Sequence, residues 1–163
     1  MKLLHGTNEI ICRPDISKCR SKNDFGKGFY LTPSWNRAWE MERRRVEFYG
    51  GSITVNAFNY EAKSANAQGL KVLRFEGFTV DWARFVIQNR EVSFFNHSYD
   101  IVIGPVADAI LDTELFKYRN EFGVHYLDEK PLKIFIDRVS QFGSSYIQYC
   151  FCTQRAMDIL KKI

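Results

Sequence analysis

The chain alternates short β-forming apolar runs with longer stretches whose apolar positions recur at helical spacing. Residues 2–5 read as a short first strand, closed by Gly6-Thr7-Asn8. Ile10-Ile11-Cys12 continues extended until Arg13-Pro14-Asp15 breaks it. Residues 17–23 are polar and basic, with Lys18, Arg20 and Lys22, and read as an exposed loop. Asp24-Phe25-Gly26-Lys27-Gly28 then forms a glycine-bracketed turn feeding the strand Phe29-Tyr30-Leu31. Thr32 is expected to cap a helix with Pro33 at its first position. Over residues 34–49, Trp35, Ala38, Trp39, Val46 and Tyr49 fall on one helical face, and Gly50-Gly51 ends the helix. Residues 52–60 alternate and predict a strand, residues 61–69 a polar loop, and residues 70–75 another strand. From Thr79, the spacing of Trp82, Phe85, Val86 and Asn89 predicts a helix, followed by a strand over 99–104. Residues 105–112 turn and become helical through about Tyr118. A helix over 130–142, a turn at 143–145 and a strand over 146–152 follow. Thr153 caps a last helix with Ala156, Ile159, Leu160 and Ile163 on one side. Strands early, middle and last with helices between them predict an α+β fold with mixed or antiparallel sheets, not a doubly wound one.

Composition narrows the class. A chain of 163 residues, 45% hydrophobic and 15% aromatic, fits one domain with an ample core and excludes whole-chain disorder. The formal charge of +4 permits a phosphate-bearing ligand or nucleic acid and demands neither. Cations cluster at Lys18 to Lys27, Arg43-Arg44-Arg45 and Lys161-Lys162. The expectation is a cytoplasmic protein: no stretch approaches the ~18 apolar residues of a membrane helix, and the first apolar run is too short for a signal peptide. Cys12, Cys19, Cys150 and Cys152 lack Cys-x-x-Cys spacing and read as reduced, with no metal.

Local motifs exclude several chemistries. There is no Walker A run, no G-x-G-x-x-G opening a helix and no G-x-S-x-G. Three histidines, His5, His97 and His125, are scattered. What remains is a polar residue near an end of each of three predicted strands: His5, Tyr30 and Gln148.

Leu4-His5-Gly6-Thr7, the run from Phe25 to Thr32, and Ile147-Gln148-Tyr149 together resemble the histidine-tyrosine-glutamate signature of PARP-like and diphtheria-toxin-like ADP-ribosyltransferases. More closely, the chain resembles a bacterial family of ADP-ribosyltransferase-like domains through Asp24 to Thr32, Tyr99 to Asp108, and the T-x-x-A-x-x-x-L pattern from Thr153 to Leu160. The resemblance spans nearly the whole chain. It implies split mixed or antiparallel sheets with flanking helices and an NAD cleft between the sheets. It implies that His5 bonds the adenosine ribose, that the Gly6 backbone holds the carboxamide, and that Tyr30 stacks on nicotinamide. Thr7, Arg20, Phe25, Gly26 and Gly28 complete the expected NAD site, with Lys22 and Lys27 nearby for the pyrophosphate. Cys150 and Cys152, on the same strand face as Gln148, are expected along its wall.

The implied reaction breaks the bond between nicotinamide and ribose through an oxocarbenium-like transition state. The chain departs from the signature at Gln148, where a glutamate is expected. An amide carbonyl accepts a ribose hydroxyl bond but carries no charge and is no general base. Asp24, Asp100 and Asp108 stand unranked as candidate bases. The resemblance implies a mono-ADP-ribosyltransferase, a bacterial toxin or effector, with an unidentified protein, DNA or RNA acceptor and a cognate antitoxin protein as partner. An inactive NAD-binding module and an NAD glycohydrolase are the alternatives. Helix 34–49 is one expected docking face. Arg90 is expected only to complement the dipole at a helix end.

Overall fold

The computed structural model describes residues 1–106, 110–141 and 146–163, except the side chains of Arg44, Arg45, Tyr49 and Ile110. It is a mixed α+β fold with two sheets. β1 (Lys2–Thr7), β3 (Thr54–Asn59) and β7 (Lys161–Lys162) make an antiparallel sheet in the order β1-β3-β7. β2 (Phe29–Leu31), β4 (Val72–Arg74), β5 (Ile101–Pro105) and β6 (Ile147–Phe151) make the other, in the order β2-β6-β5-β4. In it β4 and β5 run parallel and the other pairs antiparallel. The sheets meet where Leu4 and Thr32 exchange backbone bonds of 2.8 and 2.9 Å.

The four-stranded sheet has a core on each face, so its central strands are apolar on both sides apart from Gln148. Ile101, Ile103, Tyr149 and Phe151 face a core with Leu3, Phe58, Leu31 and Met157. Val102 and Cys150, the alternate residues, face a second core with Phe25, Trp82, Val86, Leu111 and Phe135. Helices α3 (Val80–Glu91), α4 (Ile110–Phe122) and α5 (Glu129–Ser140) supply that second core, and Trp82 also donates to the Pro105 carbonyl at 3.3 Å. α3 begins as its spacing predicts, with Thr79 accepting from the Trp82 amide.

Helix α1 (Trp35–Tyr49) packs on β1 so closely that a methyl group at Gly6 would lie 1.8 Å from the Ala38 carbonyl oxygen. Its cap is Ser34, not Thr32. Thr32 is still in the sheet bridge, and its hydroxyl is spent on the Ile147 carbonyl at 3.1 Å and the Ser34 amide at 3.2 Å.

Three more elements differ from expectation. The polar loop at 61–69 holds a short helix, α2 (Ala62–Ala67), whose Ala65 is buried under the first core face and whose end is turned by Gly69 at φ +60°. Helix α4 runs past Tyr118, which is fully buried. The last helix, α6 (Gln154–Met157), stops early, and residues 161–162 pair with β3 instead, leaving Ile163 65% exposed. The turn at 143–145 and the end of helix 130–142 lie outside the described residues.

Candidate functional site

A cleft of about 1300 Å³ opens where the two sheets approach. His5, Gly6 and Thr7 of β1 line it, as do Phe29 and Tyr30 of β2, Gln148 of β6, Asp24 and Gly28 of the turn, and Arg20. Residues from three separate strands therefore converge as the sequence predicts.

The turn before β2 is clamped by the strand it feeds. Gly26 adopts φ +82°, and a methyl group there would meet the Asn89 Oδ1 at 2.6 Å. The Tyr30 hydroxyl donates to the Gly26 carbonyl at 2.8 Å and accepts from the Phe25 amide at 3.0 Å. Burial pushes this hydroxyl well above the ordinary phenol range. Phe25 is driven into the helical core against Phe75 and Phe85. Phe25 and Gly26 thus lie outside the cleft lining, against expectation: one anchors the turn and the other shapes it. Gly28 does line the cleft, but its missing side chain serves packing, because a methyl group would lie 2.4 Å from the Cys150 sulfur.

With Phe25 anchored, Asp24 is presented to the cleft and is buried there. Gln148 Nε2 donates to its Oδ2 at 3.0 Å. A carboxylate only accepts, so this contact assigns the amide: Nε2 faces Asp24 and Oε1 points the other way. Arg90, from the end of α3, donates through Nε to Asp24 Oδ1 at 2.7 Å and pairs its far nitrogen with Asp112. Burial works against the Arg90 charge, but Asp24, joined by Asp112 and Tyr30, outweighs it, and the pKa of Arg90 is raised. One cation between two carboxylates leaves the cluster net negative. Arg90 stands in the last turn of α3, where the sequence places it, and in addition lines the cleft; that second role, and the part of Asp112, are not legible from local sequence.

His5 reaches the Tyr30 carbonyl through Nδ1 at 2.8 Å and its ring lies 4.4 Å from that of Phe29. The carbonyl only accepts, so Nδ1 carries a proton. Arg13, Lys18 and Arg20 contribute cations to the lining, and Glu42 contributes a buried carboxylate whose Oε1 finds no hydrogen-bond partner among the described residues.

Other candidates lie elsewhere. Asp100 is bound by Arg155 at 2.6 Å, Thr153 at 2.7 Å and the Lys71 amide at 2.9 Å, foremost by Arg155, which holds its carboxyl far below the usual range. Asp108 lies outside the described residues. Cys150 and Cys152 do not line the cleft: the alternation that puts Gln148 on their face carries them beneath the Phe25 turn, beside Tyr30 and His97. Among the described residues, no three His, Cys, Asp or Glu side chains converge as a metal-holding group, and no helix is long and apolar enough to cross a membrane.

Residues 1–162 match the family described as Protein of unknown function (DUF3990), and the chain belongs to that family. No curated protein and no solved structure matches it.

Proposed function

We propose that this chain is an NAD-dependent mono-ADP-ribosyltransferase, transferring ADP-ribose to a macromolecule and releasing nicotinamide. One observation carries the reading: His5, Tyr30 and Gln148 line a single cleft where two sheets meet. A volume of about 1300 Å³ exceeds the usual range for small-ligand pockets and accommodates a dinucleotide with an acceptor group beside it. In this reading His5, fixed by the Tyr30 carbonyl, bonds a ribose hydroxyl of NAD. The Gly6 backbone and Thr7 meet the carboxamide end, and Tyr30, immobilised by its own turn, presents an aromatic surface to the nicotinamide. Arg20 and Lys18 meet the pyrophosphate. The fold is then the ADP-ribosyltransferase arrangement, with NAD between the split sheets as substrate and no metal.

The proposed setting is the bacterial cytoplasm, as the toxin of a toxin–antitoxin pair or an effector. Trp35 and Trp39 of α1 are 56% and 41% exposed and flank a shallow groove with Arg43. That face is where an antitoxin protein would dock.

The test is nicotinamide release from NAD by the purified chain, with protein, DNA and RNA supplied separately as acceptors. Gln148→Ala should lower the rate by about 10²-fold, the scale of losing one transition-state hydrogen-bond group. His5→Ala should act mainly on KM. Release without any acceptor would make the protein a glycohydrolase. NAD that protects the fold against heat without release would make it a binding module.

A further inference from the structure

We propose that Asp24 is a positioning residue that supplies, through Gln148, the negative charge an ADP-ribosyl transfer site needs; this rests on the reading above. The difficulty at this site is electrostatic. A sugar cation develops as the nicotinamide bond breaks, and an amide at position 148 brings no charge to meet it. The structure places a carboxylate directly behind that amide. Asp24 Oδ2 accepts from Gln148 Nε2 at 3.0 Å, and both side chains are buried, at 6% and 8% exposure. Two effects follow. The amide is held in one orientation, with Oε1 turned away from Asp24. The carboxylate also polarises the amide, so Oε1 carries more negative charge than a free glutamine carbonyl, an effect enlarged where water is excluded.

The surroundings support a role beyond structure. Arg90 meets Asp24 with two nitrogens, Nε at 2.7 Å and Nη2 at 2.6 Å, both on Oδ1, and turns its third toward the exposed Asp112. Arg90 holds Asp24 from the side away from Gln148, taking Oδ1 and leaving Oδ2 for the amide. The charge that a signature glutamate carries on one residue is here divided between two, one bringing the accepting oxygen and the other the charge. Asp24 and Gln148 are 124 positions apart, so no local motif shows the pair.

A charge swap tests this. D24N should lower kcat for nicotinamide release at least about tenfold while NAD affinity changes less, because the amide loses its charged anchor. Q148E should also lose activity and melt lower, because its carboxylate meets that of Asp24 at hydrogen-bond distance. The double variant D24N/Q148E reverses donor and acceptor and restores one charge, so both kcat and melting temperature should return most of the way. D24N with wild-type turnover, Q148E more active than wild type, or a double variant no better than its parents would each overturn the proposal. A wild-type chain that turns over no NAD with any acceptor would instead sink the transfer reading, and the catalytic role of Asp24 with it. The melting temperatures of the four proteins would still report whether the two side chains act as a charge pair.

Discussion

Cys152 is the residue whose chemistry the fold changes most visibly. Its sulfur lies 3.4 Å from that of Cys150, two positions earlier on the same strand face. The Cys150 thiol, and after it His97, hold the Cys152 thiol below the ordinary range, whereas burial pushes Cys150 well above it. The thiolate is the nucleophile, so Cys152 should alkylate with iodoacetamide near neutral pH while Cys150 stays protected. Cys150→Ser should move the pH midpoint of that alkylation, read by mass spectrometry of the labelled peptide. At this scale the sequence was a partial guide. His5, Tyr30 and Gln148 were legible because each lies in a short strand within a run that carries the family resemblance. Arg90 was not, since its partner Asp24 is 66 positions away and a helix-end arginine looks the same whether it meets solvent or a carboxylate. Phe25 was misplaced because Asp24 beside it lines the cleft, while the turn sends its own ring into the helical core.

The elements followed their periodicity where packing agreed with it. Strands β1, β2, β3, β5 and β6 and helices α1, α3 and α5 formed where alternation or helical spacing placed them, with ends shifted by a few residues. α2 was missed because its run of small and polar residues shows no apolar stripe; its alanines favour the helix, and burial of Ala65 holds it in place. The tail after α6 was missed for the opposite reason, since an apolar spacing suited to a helix was overridden by pairing with β3. Gly6 belongs to this scale. The close approach it allows is that of α1 to β1, through the Ala38 carbonyl. Gly6→Ala should therefore lower thermal stability by at least about 1–3 kcal/mol, as overpacking against backbone does. Gly77→Ala, where an added methyl group meets nothing within 4 Å, should stay within about 0.5 kcal/mol. Circular dichroism melts of the two variants make the comparison.

For the whole molecule, Asp100 is a polar tie between separate elements. It joins the approach to β4 through Lys71, the start of β5, and the start of α6 through Thr153 and Arg155. Its folded pKa is depressed, so its contribution is fully present above the unfolded value of about 3.9 and is lost as pH falls below it. Asp100→Asn should melt several degrees below wild type at pH 7, and the gap should close as the pH is lowered from about 4. A gap that persists unchanged in acid would show that the charge is not what matters. Arg155 is 55% exposed in its side chain, so added salt should narrow the gap as well.

The pairing of β2 with β6, on which the Asp24–Gln148 contact depends, also bears on how the protein comes together. It closes a loop of more than a hundred residues, and the entropy of closing such a loop has to be overcome before any contact within it is rewarded. Helices α3, α4 and α5 lie inside that loop and are closed by local contacts alone. Topology therefore predicts a late cleft: a chain already rich in helix is expected to lack it until its two distant strands have found their register, an order that stopped-flow circular dichroism set against a probe of the proposed NAD site at Tyr30 would check.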